Sequence, residues 1–390
     1  MKCLFRIIAV ITAIFMSISM LAFSASAIGN AEEAVTVAAP VADCRSAILM
    51  EATTGQILYE KNSDEALPPA SVTKIMTLLL VMEAIAEGKI KYTDTVTASA
   101  YACSMGGSQI YLKEGEQMSV EDMIKSVVIA SANDAAVALA EHIAGSEDTF
   151  VAQMNERARQ LGMINTNFEN TNGLDDTATA HLTSAKDIAI MSRELIKHKK
   201  ITEYSSIWMD SIRDGQFGLT NTNRLVRFYK GATGLKTGST SKAGFCISAT
   251  AERDGMSLIC VIMAAPTRDV RNAAATSLLD WGFANHAVYN SPDINVENIR
   301  ILGGNASECK VSYSNFSAVV DKKTLSAIEC KIELPENISA PIKKGDKIGR
   351  IKYVVGETEI GSVDILAGDD IDKISFWDIL FRLFCAISIN

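Results

Sequence analysis

Residues 68–86 read PPASVTKIMTLLLVMEAIA. Two prolines stop whatever precedes them, because proline offers no backbone N–H and restricts the residue before it. From 71 to 86 the chain is rich in Leu, Met, Ile and Val, and Gly88 provides an exit. That pattern predicts a strong helix beginning at Ser71. Ser71 and Lys74 stand three residues apart at its head, so they share one face. A serine hydroxyl is a poor nucleophile until a base removes its proton. A lysine can serve only if burial or a nearby cation brings its pKa far below about 10.4. Alone, S-x-x-K decides nothing, since about one chance match is expected in a chain of this length.

Two further motifs follow in order. Ser131-Ala132-Asn133 interrupts the apolar stretch VVIASANDAAVAL, within a helix predicted over residues 120–143. Buried polar groups are costly without partners, so such a pair points at a site or bonds the backbone at a helix junction. Lys236-Thr237-Gly238, followed by Ser239, sits in GATGLKTGST just before a predicted strand. A lysine, a hydroxyl and a glycine on a strand edge suit a carboxylate and a peptide lying alongside. The conjunction of the three motifs, helix then helix then strand, is more specific than any one of them.

Around these motifs, residues 45–62 read as a hairpin and residues 147–161 and 184–197 as helices. Residues 165–183 form a polar loop, residues 244–252 and 256–265 a second hairpin, and residues 273–283 a closing helix. Strands first, helices in the middle and strands again predict an α+β domain with an antiparallel sheet. From about 299 to 366 short alternating segments separated by Gly, Asn, Pro and Lys predict a small all-β module, with the boundary at 286–298.

The net charge of −9, without a basic run or a phosphate loop, argues against a nucleic-acid partner. Four scattered histidines and no C-x-x-C leave no zinc-type cluster, and no cofactor is implied. Of the eight cysteines, Cys3 lies in the N-terminal segment, and the remaining seven form no even framework. A single bridge, Cys309 to Cys330, is the one pairing considered. Lys2 and Arg6, an apolar run over 7–23 and Ala25-Ser26-Ala27 match a secretory signal peptide cut after Ala27. At the other end, residues 374–389 carry ten large apolar residues, with Ser375, Asp378 and Arg382 on one stripe. Such a helix would be about 24 Å long, short of a membrane span, which predicts an interfacial anchor.

The set S-x-x-K, S-x-N and K-T-G is shared by class A β-lactamases and penicillin-binding proteins. Beyond it, PPASVTKIMT, GGSQIYLKEGE, SANDAAVALAEHIAGSEDTFVAQMN, LGMINTNFENTNGL, GLKTGSTSKAGFCISATA and LLDWGF resemble the low-molecular-mass D-alanyl-D-alanine carboxypeptidases of peptidase family S11. The resemblance, which runs from about Cys44 to the end, implies an α+β, penicillin-recognising serine-peptidase domain over 44–286, a small β-sandwich over 299–368 and an anchor helix over 374–390; the residues themselves place a signal peptide (1–27) and a linker (28–43) before them. It implies removal of the terminal D-Ala from peptidoglycan stem peptides and β-lactams as acylating inhibitors; the signal peptide and the tail helix place the expected enzyme on the outer face of the cytoplasmic membrane. Ser71 would be the acylated nucleophile, Lys74 its base and Ser131 the relay to the leaving amine. Asn133 would hold the substrate amide. Lys236, Thr237 and Gly238 would frame the carboxylate side, with Arg268 a further candidate. The N–H groups of Ser71 and Ser239 would form the oxyanion hole. Asn172 stands where many relatives carry His, and neither it nor His181 is given a catalytic role. A β-lactamase would need a glutamate in the 165–183 loop, where Glu169, Asp175 and Asp176 lack the expected E-x-x-L-N pattern. A non-catalytic wall-binding protein would have lost a motif residue, and none is missing.

Overall fold

The computed structural model describes residues 38–175, 178–380 and 384. The expected signal peptide falls outside these residues, as do residues 381–383 and 385–390 of the expected tail helix.

Five antiparallel strands form the central sheet, in the order Ile57–Lys61, Ser46–Glu51, Met256–Ala265, Gly244–Arg253 and Ala232–Thr240. Successive side chains of a strand face opposite sides, so each strand feeds two cores. Ile48, Met50, Ile259, Val261 and Met263 join the large helical core. Ala47, Leu49, Leu258, Cys260 and Ile262 pack instead against the helix Arg268–Asn285. That helix starts five residues before the predicted 273, because the Thr267 hydroxyl caps it by accepting the Val270 N–H at 3.1 Å. The helix Lys74–Ala86 runs through the helical core with Ile75, Met76, Leu78, Leu79, Val81 and Met82 all buried.

Two predicted helices are broken at their motifs. Residues 70–73 form a 3₁₀ turn, Ala70–Thr73, and the α-helix begins only at Lys74. The stretch predicted as one helix over 120–143 divides into Val120–Ile129 and Asn133–Ala144. Between them Ser131 takes φ +64, and the Asn133 N–H donates to Ser108 O at 2.7 Å instead of continuing a helical ladder.

The C-terminal part is a set of small sheets around two apolar clusters, one of them built on Ile299, Ile301, Ile342 and Ile371. The expected boundary at 286–298 carries a strand, His286–Asn290, paired with Ser317–Asp321. Val319 of that pair enters the core beneath the helix Arg268–Asn285, so the two parts join through packed strand rather than loose chain. Cys309 is buried and Cys330 exposed, and both are free thiols, so the bridge considered for them is not formed. Among the described residues, no helix is long and apolar enough to cross a membrane.

Candidate active site

The two helix breaks and the edge strand of the sheet meet at one cleft. Its cavity of about 410 Å³ is lined by Ser71, Ser131, Ser108, Thr222, Thr237, Gly238 and Ser239, together with Arg224, Arg268 and Arg271. Lys74 and Asn133 sit just behind this lining, buried at 0% and 2% exposure.

Lys74 Nζ has three neighbours: Ser71 Oγ at 2.9 Å, Asn133 Oδ1 at 2.6 Å and the Asn172 carbonyl at 2.7 Å. The Asn133 amide orientation follows from its Nδ2–H, which donates to Gly106 O at 2.7 Å. Two of the three neighbours can therefore only accept, and they take two N–H groups. The remaining direction faces the Ser71 hydroxyl, with an N–H in the ammonium or a lone pair in the amine. Burial, reinforced by the Lys236 charge, holds the Lys74 pKa well below its ordinary value. The amine form then presents its lone pair to the serine proton, the posture a general base needs.

Lys236 donates to Ser131 Oγ at 2.8 Å and to the Thr237 carbonyl at 2.9 Å. Burial, helped by the Arg271 charge, lowers its pKa to about 7. Among the described residues the strand Ala232–Thr240 pairs with one strand, Gly244–Arg253; on its other edge Ser205 and Asn223 donate to the Thr233 and Gly234 carbonyls, and residues 237–239 line the cleft, where a peptide can bond alongside. Gly238 allows that edge to pass close to the 3₁₀ turn that carries Ser71. A Cβ there would lie 2.7 Å from the Ser71 nitrogen and 2.9 Å from Pro69 O, filling the space beside the Ser71 N–H.

A family model described as D-alanyl-D-alanine carboxypeptidase, Peptidase S11, matches residues 33–267, and one for the C-terminal domain of penicillin-binding protein 5 matches residues 286–373. The D-alanyl-D-alanine carboxypeptidase DacF of Bacillus subtilis is 42% identical over 348 residues, spanning 87% of this chain and 89% of that one. The chain belongs to peptidase family S11. A second relative, DacC of Escherichia coli, is 34% identical over 90% of both chains. The crystal structure of penicillin-binding protein 5 from Haemophilus influenzae superposes with a TM-score of 0.78 at 32% identity, over 86% of this chain and all of that one.

Within this S11 enzyme, all the residues singled out by motif lie in or against the cleft. Arg268 stands exposed at its rim, at the head of its helix. Sequence reasoning missed Arg271, three residues on, which is 2% exposed and, among the described residues, donates to Asn272 Oδ1 and the Cys246 carbonyl and to no carboxylate. An arginine buried without an anion and facing a cavity suits a ligand carboxylate. The only signal in the sequence was the i, i+3 pair in TRDVR. The Asn172 carbonyl was also missed, since a backbone acceptor leaves no mark on residue type. Glu169 is not aimed at Ser71: it is exposed, and its carboxylate accepts the N–H groups of Thr179 and Ala180 at 2.8 and 3.1 Å. Asp176 lies outside the described residues.

Proposed function

We propose that Ser71 carries the acyl group and Lys74 takes its proton. The chain is a serine-type D-alanyl-D-alanine carboxypeptidase of the penicillin-binding, cell-wall-acting kind. Ser71 Oγ attacks the carbonyl between the two terminal D-alanines of a peptidoglycan stem peptide, and the hydroxyl proton passes to Lys74. The N–H groups of Ser71 and Ser239 hold the oxyanion. As the C–N bond breaks, the Ser131 hydroxyl gives a proton to the leaving amine and is resupplied from the lysine pair. Net, one proton moves from Ser71 to the released D-Ala. Water then hydrolyses the ester and restores the serine. Asn133 holds the substrate amide, while Lys236, Thr237, Arg271 and Arg268 receive the terminal carboxylate. A β-lactam enters the same sequence and stops at the ester.

The observation that carries this reading is the Lys74 geometry, with two obligate acceptors turning its third position onto Ser71 Oγ. Incubation with a labelled penicillin and with a diacyl-Lys-D-Ala-D-Ala peptide tests it. An adduct on Ser71 and D-Ala release are expected, and Ser71→Ala lowers release by about 10⁴-fold or more. Release undiminished in Ser71→Ala sinks the nucleophile assignment, and rapid penicillin turnover without D-Ala release would mark a β-lactamase.

The same reading extends to location. Export follows from the N-terminal pattern and cleavage after Ala27, and residues 374–390 hold the mature enzyme on the outer face of the membrane. Phe376 and Trp377, at 70% and 74% exposure, support the anchor, since adjacent exposed aromatic rings mark a contact. Truncation after Asp372 is expected to leave peptide hydrolysis within about twofold and to release the enzyme from membranes. A truncated enzyme that still sediments with membranes refutes the anchor.

A further inference from the structure

The polar loop is fastened to the nucleophile turn from behind, through groups the reaction does not consume. His181 is 6% exposed, and its Nε2 lies 2.7 Å from Thr73 Oγ1. Its Nδ1 accepts the Glu169 N–H at 2.9 Å. The Thr73 hydroxyl donates to the Ala70 carbonyl at 2.8 Å. A hydroxyl has one proton, so Thr73 Oγ1 must accept from His181, and the imidazole is neutral with its proton on Nε2. Burial agrees with this, pushing the His181 pKa down to about 4, with Lys74 adding to the effect and Glu169 opposing it.

The far end of the relay is strained. Ala70 has φ +50, uncommon for a residue with a Cβ, and such a conformation persists only where its surroundings over-determine it. Gly173 closes the space behind it: a Cβ there would stand 1.9 Å from Ala70 O and 2.8 Å from Thr73 Oγ1. The next residue is Ser71. The orientation of its N–H and its hydroxyl therefore depends on where the Ala70 peptide is held.

We propose that His181, acting through Thr73 and the Ala70 carbonyl, is a positioning residue that keeps the nucleophile turn in its strained form. It touches no reacting atom. The proposal rests on the reading of Ser71 as nucleophile. Its sequence trace is slight, a threonine inside S-V-T-K and a lone histidine 108 positions on.

The test compares Thr73→Val, which keeps the shape and loses the hydroxyl, with Thr73→Ser, which keeps the hydroxyl. Acylation by a labelled penicillin, kcat and KM for the diacyl peptide, and Tm are measured in the full chain. Thr73→Val is expected to lower acylation and kcat by about 100-fold, as a misplaced reacting group does. KM should stay within about twofold, and Thr73→Ser should recover to within about threefold of the unaltered enzyme. Thr73→Val at wild-type rates, or Thr73→Ser as impaired as Thr73→Val, overturns the proposal. If Thr73→Val does not fold, His181→Gln, which keeps an N–H at the tip, is set against His181→Leu. Faster acylation in the Gln variant supports the relay, and equal rates overturn it. An unaltered enzyme that forms no Ser71 adduct overturns the nucleophile reading and this proposal together, whereas a normal adduct with insensitive Thr73 variants overturns this proposal alone.

Discussion

The catalytic cleft and the C-terminal β-rich part follow opposite rules. Behind the cleft two lysines are buried at 0% and 1% exposure with no carboxylate bonded to either. In the β-rich part the charges stay outside, as where Glu333 meets Arg350 and Lys352 on the surface. Backbone strain divides the same way. Among the described residues every non-glycine with positive φ, from Asn62 to Ala264, precedes the strand at His286. Some of these, such as Asp254 in its hairpin turn, are ordinary. Ala70 and Ser131 are not, for they set the two turns that carry the serines. Ala70 lies within the large helical core, whereas the two clusters of the β-rich part hold seven and three buried apolar residues, and among the described residues no non-glycine there takes positive φ. Strain and buried charge are kept where the chemistry is and where packing is deep enough to hold them.

Glycine substitutions give the sharpest way to break this contrast. Gly238→Ala puts a methyl 2.7 Å from the Ser71 nitrogen, against backbone that cannot yield without moving Ser71. Penicillin acylation should fall by about 100-fold, on the scale of losing an oxyanion donor. Wild-type acylation in this variant would show that the strand edge and the turn at Ser71 are only loosely fitted.

The next effect is on stability and depends on pH. Burial lowers the Lys236 pKa from 10.5 to about 7. The unfolded chain therefore binds that proton more readily than the folded one between these values. Stability is penalised in full at low pH, and the penalty is relieved as pH rises from about 7 toward 10.5. Lys236→Met removes the penalty, so its gain in unfolding free energy should be larger at pH 6 than at pH 9.5, by roughly 2–4 kcal/mol. The polar atoms left at Ser131 and Thr237 cost about 1–3 kcal/mol at both pH values and cancel in the comparison. Urea denaturation at the two pH values measures it, and equal gains would mean that Lys236 carries no such penalty. D-Ala release should be lost in the same variant.

The smallest effect belongs to the β-rich part. A Cβ at Gly361 would meet the Phe316 ring at 2.4 Å, where that ring stacks on Tyr353 at 4.3 Å. Gly361→Ala should lower stability by about 1–3 kcal/mol through overpacking, with kcat/KM unchanged within about twofold. A loss of catalysis there would show that packing around Phe316 and Tyr353 reaches the cleft through the shared core at Val319.

The sequence by itself determined a good deal about this protein. Alternating and periodic apolar residues gave the two hairpins, the helix after the prolines and the β-rich C-terminal part, because burial depends on residue type and spacing alone. The candidates Ser71, Lys74, Ser131, Asn133 and Lys236 stood out because three short motifs follow one another in order, two of them as polar residues in apolar or glycine-rich surroundings. Only the tertiary structure decided how those residues act. The break at Ser131 depends on an Asn133 N–H finding Ser108 O, a bond between segments that no local pattern announces. The Asn172 carbonyl beside Lys74, the Arg271 guanidinium bonded to neutral oxygens and the His181 imidazole between the Glu169 N–H and Thr73 owe their settings to what surrounds them. Residue type states which groups are present, but desolvation and the geometry of distant neighbours decide which proton each of them holds.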